Sequence, residues 1–260
     1  MKIISLNSGS NGNCFYVESN DTRIILEAGI SGKLYNQRLT EINVSPESID
    51  ALLITHEHGD HIGGSGVINR KYGTPVFMSV DTSNNMPSKI GEINGLNTFL
   101  SGSDLKIKNL TIHTIPSLHD CVGGVHFVVS DGDYRVGLFT DLGHTSNLVH
   151  ATINTLDLLF LESNYDPRML SECCYPASLK KRIKSDHGHL SNLQSARLIR
   201  YYASPKLKHL ILCHISEQAN TYQLAMNIHH KVRMGKYEIS VAPRDGLGQM
   251  VELKNQMALK

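Results

Sequence analysis

The sequence predicts an α/β protein in which two β-sheets pack face to face and helices cover their outer sides. Strand-like runs open the chain and then alternate with helices, the second half shows a similar alternation, and no linker-like tract separates the halves. A chain of 260 residues is long enough to bury a large apolar core without disulfide bonds. We therefore expect a single domain over residues 1–260.

Short apolar or alternating runs define the elements of the first half. Ser31 is a suitable N-cap for the first helix. The polar residues 81–97 predict a surface connection without regular structure. In order, the predicted elements are strands over 2–7, 14–18 and 23–28, a helix over 31–43, a strand over 51–54, a helix over 64–71 and a strand over 75–79.

The second half begins with strands and then alternates. The turn sequence Ser130–Asp133 is typical of a β-hairpin. In order, the predicted elements are strands over 105–108, 110–115, 124–129, 134–139 and 156–162, helices over 176–184 and 191–203, a strand over 207–213, a helix over 217–232 and strands over 237–241 and 248–253.

Composition indicates an ordinary cytoplasmic protein. The net charge is +1 and charged residues make up 19%, which argues against a surface that is basic overall. The five cysteines form no CxxC pattern, so reduced thiols are the simplest interpretation. The N-terminus does not resemble a signal peptide, and no apolar run reaches the roughly 20 residues that cross a membrane. Oligomeric state is left open.

Four metal-ligand side chains, His56, His58, Asp60 and His61, lie in a short segment after the strand over 51–54. Because side chains alternate along an extended strand, His56 and His58 should leave it on the same side. The following turn should bring Asp60 and His61 to the opposite side of the same space. Imidazole and carboxylate groups suit zinc or a similar first-row ion. The segment therefore predicts a metal site, and its ligand count suggests two ions.

Three further ligand-type residues each follow an apolar run. His119, Asp141 and His214 stand at or just beyond the ends of predicted strands. An isolated histidine at such a place is more often a hydrogen-bonded rim residue. Three such residues beside the first cluster reinforce one another, because strand ends at one sheet edge can direct several side chains toward one pocket.

These residues resemble the ligand set of the metallo-β-lactamase superfamily. Within it, segments across nearly the whole chain resemble the YycJ/WalJ group of bacterial proteins, namely Ser8–Cys14, Leu161–Asn164, Gly188–Asn192 and Cys213–Glu217. The resemblance implies an αββα four-layer sandwich with a dinuclear site at one edge of the sheets. Tyr165 and His144 depart from the pattern of the group and are expected to alter substrate contacts rather than metal binding.

By position, the resemblance implies that each ion has three ligands and that Asp141 bridges them. A carboxylate at this place is typical of the phosphodiesterases of the superfamily, whereas many β-lactamases carry cysteine there. Zinc is expected, with manganese or iron as alternatives. One ion is assigned to His56, His58 and His119, and the other to Asp60, His61 and His214.

The resemblance implies an exonuclease that degrades double-stranded DNA from 5′ ends, with a water activated between the ions as nucleophile. His189 is the expected proton donor, oriented by Glu162, and Asp60 is assigned a catalytic as well as a ligand role. The competing interpretation of His189 is a residue that merely precedes a capped helix. Expected substrate contacts are Ser191, Asn192, Lys181 and Arg182.

The sequence is also compatible with two other functions. One is hydrolysis of a small phosphodiester, such as a cyclic nucleotide or a sugar phosphate, or of a thioester or lactam. The other is a non-enzymatic regulatory protein that carries metal. The basic residues near position 182 are compatible with phosphate contacts, although a solvated charged face is their default explanation.

Overall fold

A computed structural model describes residues 1–254, which contain two seven-stranded sheets. Each sheet has three antiparallel pairings on one side and three parallel pairings on the other. The first sheet comprises β1 (Lys2–Asn7), β2 (Cys14–Ser19), β3 (Thr22–Leu26), β4 (Ala51–Leu53), β5 (Val76–Ser79), β6 (Asn97–Phe99) and β14 (Val251–Glu252). The second comprises β7 (Asp104–Ile107), β8 (Leu110–Pro116), β9 (Val125–Ser130), β10 (Arg135–Phe139), β11 (Leu158–Glu162), β12 (His209–Cys213) and β13 (Glu238–Val241).

The described helices begin mostly at side-chain caps. Ser31 accepts a hydrogen bond from the Leu34 N–H, and Ser191 forms a reciprocal capping box with Gln194, so both helix starts satisfy free backbone donors. The helices are α1 (Gly32–Glu41), α2 (Gly59–Ile62), α3 (Ser65–Tyr72), α4 (Val80–Asn84), α5 (Asn147–Ile153), α6 (Pro167–Glu172), α7 (Ala177–Ile183), α8 (Asn192–Tyr202) and α9 (Tyr222–Val232).

Three apolar layers hold the fold together. The central layer lies between the sheets, where the rings of Phe15 on β2 and Phe160 on β11 meet with centroids 4.9 Å apart. A second layer packs α1 and α3 on the first sheet, and a third packs α5, α8 and α9 on the other. The predicted αββα sandwich is therefore confirmed. The shared central layer supports our prediction of one domain, although residues 255–260 lie outside the described part of the chain.

Several predicted boundaries are wrong. Residues 81–97 are not an irregular connection, because they contain most of α4, a one-turn 3-10 helix and the start of β6. Helix α9 begins at Tyr222 instead of residue 217, since the Thr221 side chain caps it by accepting from the Leu224 N–H. Strand β14 is only two residues long, and the short helices α5 and α6 were not predicted.

Among residues 1–254, the structure contains no helix with the length and apolar character needed to span a membrane.

Candidate metal centre

The seven side chains proposed as metal ligands meet at one edge of the sandwich. The segment after β4 supplies four of them, and loops after β8, β10 and β12 supply the other three. The ligand-type atoms of His56, His58 and His119 lie within 4.8 Å of one another. Those of Asp60, His61 and His214 form a second such group, and Asp141 belongs to a further group with His56 and His61. The structure thus brings together all seven residues that the sequence nominated as metal ligands.

Backbone contacts fix the segment from the first sheet. We predicted that alternation along the strand would bring His56 and His58 to the same side. Strand β4 instead ends at Leu53, so a loop brings these two side chains together. The Asp60 carbonyl accepts a hydrogen bond from the Asn13 N–H at 2.8 Å. A Cβ atom on Gly29 would lie 1.8 Å from that carbonyl oxygen, so only glycine permits this approach.

Three residues at the site have left-handed backbone conformations that non-glycine residues rarely adopt. Glu27, Asp141 and His214 have φ angles of 69°, 54° and 51°. Hydrogen bonds hold the latter two, because the Asp141 N–H donates to Glu162 and the His214 N–H donates to the Ser8 hydroxyl. Such strain persists only where surrounding contacts enforce it, and it concentrates at functional sites.

Hydrogen bonds at Nδ1 leave the Nε2 atoms of two histidines free to bind a metal. The Thr55 hydroxyl donates to Glu27, so it accepts from His56 Nδ1, which lies 2.8 Å away. His119 Nδ1 donates to the Gly188 carbonyl at 3.0 Å. The Nε2 atom of His56 is buried without a hydrogen-bond partner among the described residues, and that of His119 is buried 3.0 Å from an Asp120 carboxylate oxygen without a hydrogen bond to it. Buried imidazole lone pairs of this kind, with the other nitrogen held by an acceptor, are typical of zinc-binding histidines.

The other two buried histidines lie between carboxylates. His61 Nδ1 is 3.2 Å from Glu27, and its Nε2 is 2.9 Å from Asp141. His214 Nδ1 is 3.1 Å from Glu162, and its Nε2 is 3.4 Å from Asp60. In the neutral form of His214, with Nδ1 donating to Glu162, Nε2 presents a lone pair to the Asp60 carboxylate. A cation between the two relieves that repulsion, so this donor set fits a metal ion.

Electrostatics support the same conclusion. Burial lowers the pKa of His56 well below its usual value, which favours the neutral ligand form. Burial alone would raise the pKa of Asp60, but His61 and His214 outweigh it and lower that pKa to about 2. Burial acts to lower the pKa of His214, yet Asp141, Asp60 and Glu162 raise it to about 10. The second group therefore favours positive charge at its centre.

A cavity of about 440 Å³ opens onto this cluster. His189 lines the cavity, and its Nδ1 lies 2.8 Å from the Glu162 carboxylate. Glu162 is fully buried and also accepts from the Leu190 N–H at 2.6 Å. The carboxylate thus fixes the ring and leaves Nε2 as the nitrogen available to a substrate. The lining residues are Ser10, His58, Gly59, Asp60, His119, Asp141, Asn164, Tyr175, Leu179, Arg182, Ile183, His189, His214 and Ser216.

Three of the four expected substrate contacts do not line this cavity. Asn192 is 0% exposed and its side chain bonds Ser163 and Asn220, because α8 begins there and turns it inward. Ser191 is occupied by the capping box, and Lys181 is exposed away from the cavity. The expectations for Asn192 and Ser191 are therefore wrong, because both side chains are buried, and that for the exposed Lys181 stays a prediction. Arg182 alone of the four lines the cavity.

The two departures from the group pattern also lie away from the cavity. Tyr165 is 5% exposed and packs in a small apolar cluster. His144 Nδ1 donates to the Asp186 carbonyl at 2.7 Å and lines a different cavity. The expectation that they alter substrate contacts in the main cavity is therefore not supported by their positions.

Two residues of the site were missed from the sequence. Glu27 supports His61 directly and His56 through Thr55, and an acid directly after the apolar run Ile24–Leu26 was the available signal. Asp120 lies 3.0 Å from His119 Nε2, and its position next to His119 in the chain could have drawn attention to it.

Comparison with known proteins agrees with this geometry. The profile of the Metallo-beta-lactamase superfamily matches residues 8–169, so the chain belongs to that superfamily. Within it, the chain falls in the WalJ/YycJ group. It is 35% identical over 224 residues to "Exodeoxyribonuclease WalJ" of Streptococcus pneumoniae serotype 2 (strain D39 / NCTC 7466), covering 85% of this chain and 83% of that protein. It is 31% identical over 250 residues to "Exodeoxyribonuclease YycJ" of Bacillus anthracis, covering 95% and 92%.

Solved structures show the same fold at low sequence identity. The metallo-β-lactamase fold protein YhfI from Bacillus subtilis superimposes with a TM-score of 0.73 at 16% identity, covering 95% of this chain and 99% of that one. The short form of human tRNase Z gives a TM-score of 0.66 at 13% identity, covering 96% and 99%. The predicted fold family is confirmed, and the chain is an enzyme, a metal-dependent hydrolase of this superfamily.

Proposed function

We propose that this protein is a dinuclear metal-dependent phosphodiesterase that removes nucleotides from the 5′ ends of double-stranded DNA. The observation that carries the proposal is the convergence of two ligand groups, joined by Asp141, on an open cavity that His189 also lines. The names of the two relatives, both exodeoxyribonucleases, support DNA as the substrate.

Each ligand group would hold one divalent ion, with the ligands as assigned from the sequence. Two bound ions would supply an activated water and would neutralise charge on the phosphoryl oxygens. Zinc is our first choice because five of the seven ligands are imidazoles, and the two carboxylates also admit manganese or iron.

Two further roles, contact with the attacking water and protonation of the departing oxygen, fall to side chains of the protein. Asp60 has one carboxylate oxygen near His61 and His214 and is partly open to the cavity, so it can accept a hydrogen bond from the attacking water. Glu162 holds His189 through Nδ1, and His189 Nε2 would hold the proton that the departing oxygen receives. The competing interpretation, a histidine that only precedes α8, does not explain why a buried carboxylate holds this ring.

The test uses full-length protein loaded separately with Zn²⁺, Mn²⁺ or Fe²⁺. Substrates are duplex DNA labelled at either end, single-stranded DNA and RNA, and bis(p-nitrophenyl) phosphate, with His58→Ala as the metal-site control. Ordered release of nucleotides from the 5′ ends of the duplex by the wild type alone is the expected result. Activity on the small ester without any on DNA would favour a small-phosphodiester hydrolase instead. No activity on any of these substrates would contradict the proposal.

A further inference from the structure

Arg182 is the only lysine or arginine among the described residues that line the metal-site cavity. It projects from α7, a helix that also contributes Leu179 and Ile183 to the cavity wall. The cavity otherwise presents carboxylates, imidazoles and neutral groups. A substrate phosphate that lies on the α7 side of the cavity therefore meets one fixed cation.

Asp120 holds this guanidinium in place. Arg182 Nη2 donates to Asp120 Oδ1 at 2.9 Å, and Arg182 Nε donates to the other carboxylate oxygen. The Asp120 N–H in turn donates to the His187 carbonyl at 3.1 Å. The loop that follows β8 is thus tied both to α7 and to the segment before His189. The position of Arg182 relative to the ligand cluster is fixed from two directions.

The ion pair with Asp120 leaves some N–H donors of the Arg182 guanidinium without a partner in residues 1–254. A guanidinium has five N–H groups in a planar fork, and Asp120 engages the edge formed by Nε and Nη2. The Arg182 side chain remains 47% exposed. The Nη1 group and the second Nη2 proton are therefore available to phosphate oxygens, which guanidinium groups bind with matching geometry.

We propose that Arg182, held by Asp120, binds a phosphate of the DNA adjacent to the one that is cleaved. This inference rests on the proposed function and adds the residue that positions the strand on the α7 side of the cavity. The competing explanation is that the pair only anchors α7. The pair of Arg168 and Glu172 on α6 offers a matched control, because it is a similar pair, 2.9 Å apart, that does not line the cavity.

The test measures binding of metal-loaded protein to a labelled duplex oligonucleotide, whose 5′-terminal linkages are phosphorothioates that resist cleavage, at several salt concentrations. Arg182→Gln is expected to raise Kd about ten- to a hundredfold, as expected for loss of a charged hydrogen bond. It should also lower the slope of log Kd against log salt by about one, since one phosphate contact is lost. Arg168→Gln should change neither. Arg182→Lys, which keeps the charge but loses the fork, should fall between wild type and Arg182→Gln.

The double variant Asp120→Asn/Arg182→Gln separates binding from anchoring. If Arg182 binds phosphate, the double variant binds as weakly as Arg182→Gln. On cleavable duplex, Arg182→Gln should raise KM more than it lowers kcat. This inference would be overturned by wild-type affinity in the double variant or by an unchanged salt slope in Arg182→Gln. The proposed function would still stand in that case if the wild type cleaves DNA. Wild-type protein that neither binds nor cleaves DNA would overturn both.

Discussion

The two sheets contribute to the metal centre in different ways. The first sheet supplies four proposed ligands from one segment, residues 56–61, that follows β4 and extends into α2. The second sheet supplies His119, Asp141 and His214 from three separate loops, and Glu162 and His189 from two more places. One half of the site is therefore local in sequence, and the other half is assembled by topology.

The local and the distributed half of the metal site are held in position by different kinds of contact. Close backbone contacts position the local half, such as the 2.8 Å hydrogen bond from Asn13 to the Asp60 carbonyl. The distributed half depends on β10, β11 and β12 running parallel, because their carboxyl ends then meet at one edge. Disturbing either half should have consequences that can be told apart.

The largest effect on metal binding and turnover is expected at Asp141, where the two halves of the metal site meet. Asp141→Asn replaces the proposed bridging carboxylate with a neutral amide, so we expect fewer than two metal ions per chain and a fall in kcat of at least about a thousandfold. Metal analysis and single-turnover cleavage would measure both. Asp157→Asn is the matched control, since Asp157 is a buried aspartate that accepts from the Arg135 N–H away from the cavity. Full metal content in Asp141→Asn would count against a bridging role.

The next effect separates catalysis from metal binding in the distributed half. His189→Ala should keep its metal but lose about 10²–10⁴-fold in kcat, because it removes the proposed proton donor. The control is His187→Ala, two residues away and exposed. Metal content and turnover are measured together on each variant. Wild-type turnover in His189→Ala would remove the proton donor from the mechanism.

A smaller effect is expected from the support of the local half. Thr55→Val removes the hydroxyl that accepts from His56 Nδ1, so metal affinity should fall about ten- to a hundredfold. Turnover at saturating metal should change little. Competition with a fluorescent chelator measures the affinity, and Thr152→Val, a buried threonine on α5 that donates to the Leu148 carbonyl, is the control. Equal affinities in the two variants would show that the Thr55 contact has no role in metal binding.

The smallest expected effect is on the stability of the fold near the distributed half of the site. His229 is buried near Ser163, and burial lowers its pKa to about 3 from an ordinary value of 6.5. Between these pH values the unfolded chain binds the proton and the folded chain does not, so the free energy of unfolding falls as pH falls below 6.5. His229→Gln should reduce that dependence by up to about 1.4 kcal/mol per pH unit. Urea unfolding in EDTA at pH 5–7 measures it, and identical slopes would refute this assignment.

Much of the local half could be predicted from the sequence. His56, His58, Asp60 and His61 lie so close together that chain connectivity brings them to one place. The distributed ligands were also recognisable, because each follows an apolar run. Asn192 was wrongly expected to contact substrate, because α8 begins at this residue and turns its side chain inward.

Contacts between distant segments could not be predicted. Glu27 and Thr55 meet across 28 positions, and Asp120 meets Arg182 across 62. No local pattern encodes such pairs, since they arise only when the loops at the sheet edge are packed together. The short helices α5 and α6 were missed because one or two turns contain too few apolar positions to show a period.

The most direct test of the paired ligand groups is anomalous diffraction at the zinc edge from crystals of zinc-loaded wild-type protein. We expect two peaks per chain, about 3.5–4 Å apart, each at bonding distance from one of the two groups and with Asp141 between them. A single peak, or none at this edge of the sheets, would contradict the account.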